Sequence, residues 1–220
     1  MQALHRMRSQ CLRDRTALSN STRGLLGEYG IVFAKGITHL RKIIPGLLED
    51  AENGLSFRFR NLLSRRYQQL AELDQHIDFY TQELEILSQQ DDACKRLQTI
   101  PGFGPIVSSA FRSTIGDGRT FHRGRDVAAS LGLVPRQHSS GGKDVLLGIS
   151  KRGDKYLRTQ LVHGARAIVL QAANKTDPLS RWIQRIHIER GFNKAVVAMA
   201  NKMARMGWAV LRNNTIYQPI

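Results

Sequence analysis

Apolar residues recur at heptad spacing through the second quarter of the chain. Leu63, Leu70, Ile77 and Leu84 stand seven apart, and Leu73, Tyr80 and Leu87 follow the last three of them by three residues. Such a and d positions predict one helix from about Phe57 to Gln89 with a coiled-coil seam, weakened at its start by Arg66 in a d position. Some 33 residues at 1.5 Å rise make a helix of ~50 Å, longer than a domain this small covers, so the seam calls for a partner helix. An earlier helix folded back or a second copy of the chain would serve. The second copy is favoured, which implies a homodimer or higher oligomer.

Upstream, helical periodicity (Leu4, Met7, Cys11, Leu12, Leu18, Leu25, Leu26) begins at once, without a capping residue, and reads like a chain entered in mid-domain. Gly27, Gly30 and Gly36 break it, and a short helix from Ile37 to Leu48 is expected to be interrupted near Pro45-Gly46. Downstream, Ile100-Pro-Gly-Phe-Gly104-Pro105 between apolar stretches has the form of a helix-hairpin-helix. Glycines there let exposed N–H groups at the second helix's start, around Gly102 and Gly104, meet a phosphate. A plain turn between packed helices fits the same residues. A helix from about Arg125 to Leu131 leads to a stop at Pro135, and Arg136 to Ile149, with Gly141-Gly142 near its centre, reads as a β-hairpin or ordered loop. Helices follow over 154–173, 179–190 and 193–212; in the last, Val197, Ala200, Ala204, Trp208 and Leu211 form an apolar stripe. Trp182 and Trp208 are assigned to the core rather than to base stacking.

The expected fold is therefore mainly α: a long coiled-coil helical arm followed by a helical domain with a helix-hairpin-helix element and a small β-hairpin or loop carrying a serine pair. The division is 1–56 for N-terminal helices, 57–95 for the coiled-coil helix and 96–220 for the C-terminal domain, with the helix-hairpin-helix near 97–115.

Charge changes the picture. The 220 residues carry a formal +15, and it is unevenly spread: +6 over residues 1–46, −5 over 47–95 and +14 over 96–220. A strongly basic final part makes nucleic acid the expected partner. Cys11 and Cys94 form no CxxC pair, so neither a disulfide framework nor a zinc site is indicated and a reducing compartment is expected. No apolar run approaches the ~18–20 residues that span a bilayer, and no signal core opens the chain. The expected setting is cytoplasmic and nucleoid-associated, with no membrane partner.

Candidate chemistry concentrates between Arg136 and Arg166, where seven Lys/Arg face two Asp around the serines of Ser139-Ser140-Gly141-Gly142-Lys143. A hydroxyl in a positive field suits phosphodiester chemistry: serine attack on phosphorus gives a phosphoserine ester that conserves the bond energy for rejoining. Arg136, Lys143, Lys151, Arg152, Lys155 and Arg158 are the candidate phosphate-binding cations, Arg136 foremost because a planar guanidinium can hold two oxygens. His138 is a candidate base, though a hydrogen-bonded structural histidine is the favoured reading. Asp117, Asp126, Asp144 and Asp154 are scattered, with no paired spacing suited to a metal site, so no metal is assigned.

From Gln2 to about Val210 the sequence resembles the IS-one-ten (IS116/IS110/IS902 type) family of insertion-sequence transposases, bridge-RNA-guided DNA recombinases of bacterial mobile elements. The resemblance rests on Ile100-Pro-Gly-Phe-Gly104, Leu131-Gly-Leu-Val-Pro-Arg136, Ser139-Ser-Gly-Gly-Lys143, and Gly148-Ile-Ser-Lys-Arg-Gly-Asp154 with Tyr156-Leu-Arg158. It implies that residues 96–220 are a transposase domain whose Pro-Arg-x-x-x-Ser-Gly pattern puts the nucleophile on Ser140, with Ser139 the rival and Ser150 a distant third that also suits a helix cap. DNA is the implied partner, and a guide RNA a further one. Family members also carry an RNase H-like domain with three Asp and one Glu for magnesium. That pattern does not occur in these residues, so no cofactor is expected within the chain, and magnesium only alongside that domain.

Four readings follow. A transposase part whose site is incomplete alone comes first, and a purely nucleic-acid-binding module or inactive remnant is the alternative. A serine hydrolase is disfavoured because Ser-Ser-Gly-Gly is no Gly-x-Ser-x-Gly elbow. A structural coiled-coil adaptor leaves the +14 of the last part without a purpose.

Overall fold

The computed structural model describes residues 1–140 and 143–219, and the side chains of all of these except 138–140, 143, 144 and 146. The described part is mainly helical with one two-stranded antiparallel sheet. It divides into two units, residues 3–83 and residues 1–2 with 84–220.

The smaller unit is built from α1 (Gln2–Glu28), α2 (Ile37–Glu49) and the first part of α3 (Phe57–Gln90). The heptad positions Leu63, Leu70, Ile77 and Leu84 are all buried. Leu63 and Leu70 pack in a cluster with Leu26 of α1, Leu40 and Ile44 of α2, and Leu55. Each such leucine, removed from water, contributes roughly 1.5–3 kcal/mol. Helices α1 and α3 run antiparallel, as their cross-pairs show: Arg8 Nε donates to Thr81 Oγ1 at 2.7 Å, Arg15 pairs with Asp74 at 2.8 Å, and Arg66 donates to Ser21 Oγ at 2.8 Å. Leu63 and Leu70 are thus covered by the chain's own first two helices, the folded-back alternative to a second copy. Arg66, a defect in a symmetric seam, finds a hydroxyl partner in this one.

Helix α2 corrects an expectation, since it runs through Pro45 to Glu49 without a break. Proline costs one backbone hydrogen bond, but Ile44 is fully buried and Leu47 and Leu48 pack on the same cluster, so burial on both sides of Pro45 holds the helix. The end of α2 is closed by Arg60, whose guanidinium donates to the carbonyls of Leu47 (2.8 Å), Leu48 (3.2 Å) and Leu55 (3.1 Å).

The larger unit contains α4 (Asp92–Gln98), α5 (Pro105–Ile115), α6 (Gly124–Ser130), β1 (Pro135–Ser140), β2 (Lys143–Ile149), α7 (Lys155–Ala172), α8 (Pro178–Arg190) and α9 (Phe192–Asn213). The helix expected from about Phe57 to Gln89 ends at Gln90, and the Asp91 carboxylate accepts the Ala93 amide at 2.8 Å and starts α4 as a new helix within the segment 57–95. Helix α9 is the hub, packed against α4, α6, α7 and α8. Its buried set (Ala195, Val196, Met199, Ala200, Met203, Ala204, Gly207, Val210, Leu211) is broader than the single stripe read from the sequence, because neighbours surround it. The phenyl rings of Phe103 and Phe111 meet edge-on at 5.4 Å within this core. Trp208 donates from Nε1 to Gly118 O at 3.0 Å, and Trp182 packs on the core with Lys202 Nζ 4.5 Å above its ring, in keeping with the core assignment of both indoles.

Candidate functional site

The serine pair lies on a β-hairpin, one of the two forms expected for Arg136 to Ile149. Strands β1 and β2 are antiparallel, with Ser139 opposite Asp144, Ser140 opposite Lys143, His138 opposite Val145, and a register irregularity between Pro135 and Gln137. Gly141 and Gly142 lie outside the described residues, as do the side chains of His138, Ser139, Ser140, Lys143 and Asp144. The roles expected of Ser140, Ser139, His138 and Lys143 therefore rest on the sequence and on the backbone register alone.

What the structure does describe is how the hairpin is rooted. Ser150 N donates to Val134 O at 2.8 Å, and Lys151 N to Gly132 O at 3.2 Å, extending the pairing beyond the ladder. Gly132 (φ 67°) and Gly153 (φ 83°) hold conformations that side chains disfavour, and both are walled in. A Cβ on Gly132 would sit 2.3 Å from Arg152 O, and one on Gly153 would sit 1.7 Å from Ser130 O. Lys151 itself adopts a left-handed conformation, φ 56°. Asp154 ends the segment by capping α7, accepting from Leu157 N at 2.8 Å. The Gly-Ile-Ser-Lys-Arg-Gly-Asp motif is thus a backbone lock followed by a helix start.

Of the candidate cations, Arg136 on β1, Lys151 and Arg152 in the segment between β2 and α7, and Lys155 at the start of α7 are exposed. Arg158 differs. It is half-buried, and its Nη1 donates to Leu131 O at 2.9 Å and to Arg152 O at 3.2 Å. On β2, Val145 and Leu147 are 49% and 42% exposed, so the hairpin presents apolar as well as basic surface.

The two glycines of the expected helix-hairpin-helix part company. Gly102 has φ 81°, and a Cβ there would sit 2.6 Å from Ile168 Cδ1 and 3.0 Å from Gly164 O, so packing against α7 requires this glycine. Gly104 is exposed, caps α5 and has open space beside it, which leaves the start of α5 as the part of the turn able to meet an anion.

Three of the four scattered carboxylates are occupied in local structure: Asp117 accepts from Arg119 N, Asp126 from Arg123 N and Asp154 from Leu157 N. Among the described residues no three His, Cys, Asp or Glu side chains gather as a metal site would need. The donor set of the described residues does not fit a magnesium ion. Cys94 is no competing nucleophile, since burial, with the Asp91 carboxylate beside it, pushes its thiol up to about 12. No helix among the described residues is long and apolar enough to cross a membrane.

Sequence reasoning missed Asn201, whose Nδ2 donates from α9 to Leu133 O at 3.2 Å, beside the first hairpin root. Nothing local marks an asparagine within a helix for such a contact.

This fold, a helical unit bearing a rooted serine hairpin among exposed cations, coincides with a family match. Residues 94–180 fit the model of the IS116/IS110/IS902 transposase family, and the chain belongs to that family of insertion-sequence transposases. Among its relatives, the transposase for insertion sequence element IS1111A of Coxiella burnetii is 43% identical over 218 residues, covering 99% of this chain and 60% of that protein. A probable family 20 transposase of Pseudomonas aeruginosa is 43% identical across 100% of this chain and 65% of its own length. The transposase for insertion sequence element IS1328 of Yersinia enterocolitica is 36% identical, covering 99% and 64%. The chain thus spans less than two thirds of the length of these relatives.

Proposed function

We propose that this chain is the DNA-strand-joining part of an insertion-sequence transposase and that the hairpin carries its nucleophile, Ser140, with Ser139 as the one-residue alternative. The observation that supports this most is the rooted hairpin: the serine backbone is held on paired strands, and Arg136, Lys151, Arg152 and Lys155, at and just beyond their root ends, are all exposed. In this reading a scissile phosphate is drawn in by those cations. The serine Oγ attacks phosphorus, its proton passing to a base, and the displaced strand oxygen leaves as a hydroxyl. The result is a serine–DNA phosphodiester. A second strand's hydroxyl then attacks the same phosphorus, the serine oxygen leaves and regains a proton, and the strands are joined. The surrounding cations stabilise the added charge of each pentacovalent transition state. The Gly104 end of α5 adds a contact to the backbone that ignores base sequence. The activating base and magnesium belong to an RNase H-like domain supplied alongside, and a guide RNA is the partner that selects the target.

The test is a suicide DNA substrate incubated with the chain, with and without an RNase H-like domain from a longer relative, followed by mapping of any protein–DNA adduct. An adduct on Ser140, abolished in Ser140→Ala, is expected when that domain is present. An adduct on Ser139 would move the register by one. The second reading, a nucleic-acid-binding module without chemistry, draws on the absence of a carboxylate cluster among the described residues. It predicts no adduct in either mixture, with binding retained. Under both readings four cations at the hairpin base give a log–log salt slope of about −3 to −4.

A further inference from the structure

Both roots of the hairpin converge on one side chain. Leu131, the C-cap residue of α6, leaves a helix-end carbonyl that α6 itself cannot satisfy, and Arg152 O turns toward the same point from the other root. Arg158, one turn into α7, donates Nη1 to both. A cation is favoured at a helix C-terminus, and a planar guanidinium holds its donors in a fixed fork where an ammonium would not. Asn201 adds a tie from α9 to Leu133 O, on the first root only. We infer that Arg158 is a positioning residue that clamps the two roots of the serine hairpin in one orientation, and not a phosphate ligand, with Asn201 as its auxiliary. The inference deepens the proposal that the hairpin meets DNA, and rests on it for its functional meaning only. The clamp itself is a property of the free protein.

Three features argue against a phosphate role. The guanidinium is half-buried where its four cationic neighbours at the hairpin base are exposed. Moving it to a phosphate would strip hydrogen bonds from two carbonyls at once. The glycines at 132 and 153 bring those carbonyls close enough together for one side chain to reach both.

Amide hydrogen exchange of the full 220-residue chain, together with DNA affinity, tests this. In Arg158→Gln the root amides of Ser150 and Lys151 should exchange at least tenfold faster, while core amides of α9 such as Met199 and Ala200 keep their rates. Arg158→Lys, which retains the charge, should bind duplex DNA within twofold of wild type yet not restore slow exchange at the roots. Arg136→Gln should do the reverse, weakening DNA binding with root exchange unchanged. Where the wild type forms the serine adduct, Arg158→Lys should slow its formation at saturating DNA by at least tenfold with little change in Kd. Unchanged root exchange in Arg158→Gln, or recovery of slow exchange by lysine, would overturn the clamp. Should Arg158→Gln unfold throughout, Asn201→Ala decides: faster exchange confined to the hairpin roots supports the clamp, and unchanged exchange there refutes it. Because exchange is read without DNA, a wild type that neither binds nor reacts would sink the transposase reading while leaving the clamp standing or falling on its own.

Discussion

Alanine at position 153 should damage this protein far more than alanine at position 148, although both glycines belong to the same short motif. Gly153 sits at φ 83°, and its added Cβ would lie 1.7 Å from the Ser130 carbonyl oxygen. The left-handed backbone alone costs an L-residue ~1–2 kcal/mol. The overlap is backbone against backbone, so no rotamer relieves it, and the segment must shift away from α6. That shift breaks the Lys151–Gly132 hydrogen bond and strains the Arg158 contacts, each worth about 1 kcal/mol. Together these predict a loss of about 3–4 kcal/mol, a large share of the 5–15 kcal/mol that holds a typical domain. Gly148 has no positive φ and nothing within 4 Å of its Cβ position, so Gly148→Ala should stay within about 0.5 kcal/mol of wild type. Urea unfolding followed by tryptophan fluorescence measures this, since Trp182 and Trp208 both lie in the larger unit. A Gly153→Ala midpoint indistinguishable from wild type would refute the backbone lock.

Three more outcomes follow from single side chains. His5 is buried, and burial first, then Arg8 and the chain's amino group, hold its pKa down to about 4, against 6.5 when free. Above pH 6.5 both folded and unfolded His5 are neutral and no penalty exists. Between 6.5 and 4 only the unfolded chain takes up the proton, so stability should fall with pH by up to about 3 kcal/mol in total, and His5→Gln should lack that part of the decline in urea titrations from pH 7.5 to 4.5. Asp154→Ala removes the cap of α7 and should cost about 1 kcal/mol in the same unfolding assay, recovered by Asp154→Ser. Leu70→Ala, at a residue 1% exposed, should cost about 2–5 kcal/mol by far-UV circular dichroism, whereas Leu62→Ala, 55% exposed, should change little.

The helices were legible because their periods are strong. The sevenfold leucines located α3, and Gly141-Gly142 in a short stretch after Pro135 marked the hairpin. What stayed hidden depends on residues distant in sequence. Heptad leucines look the same whether the opposing helix is α1 or a second chain, and Pro45 reads as a break until Leu47 and Leu48, half-buried, are seen to pack on the same cluster beyond it. Gly102 fits a phosphate-binding turn as well as it fits a close approach, and only Gly164, 62 positions on, distinguishes them. Arg158 was grouped with its exposed neighbours because a count of positive charge does not separate a guanidinium facing solvent from one bonded to carbonyls 6 and 27 residues away. The candidate site was readable as a charged stretch with a serine in it; its rooting was not.

Helix α7 touches both ends of this arrangement. Near its start Arg158 grips the hairpin, and six residues on, about 9 Å along the axis, Gly164 lies against the backbone of Gly102 in the turn between α4 and α5. The hairpin and the turn, the two surfaces proposed to meet a DNA backbone, are therefore mounted on a single rigid rod, and their spacing is set by its length. Under the proposed function, a duplex that engaged the turn would meet the hairpin at a fixed offset, gauged by one stretch of helix and not by a loop.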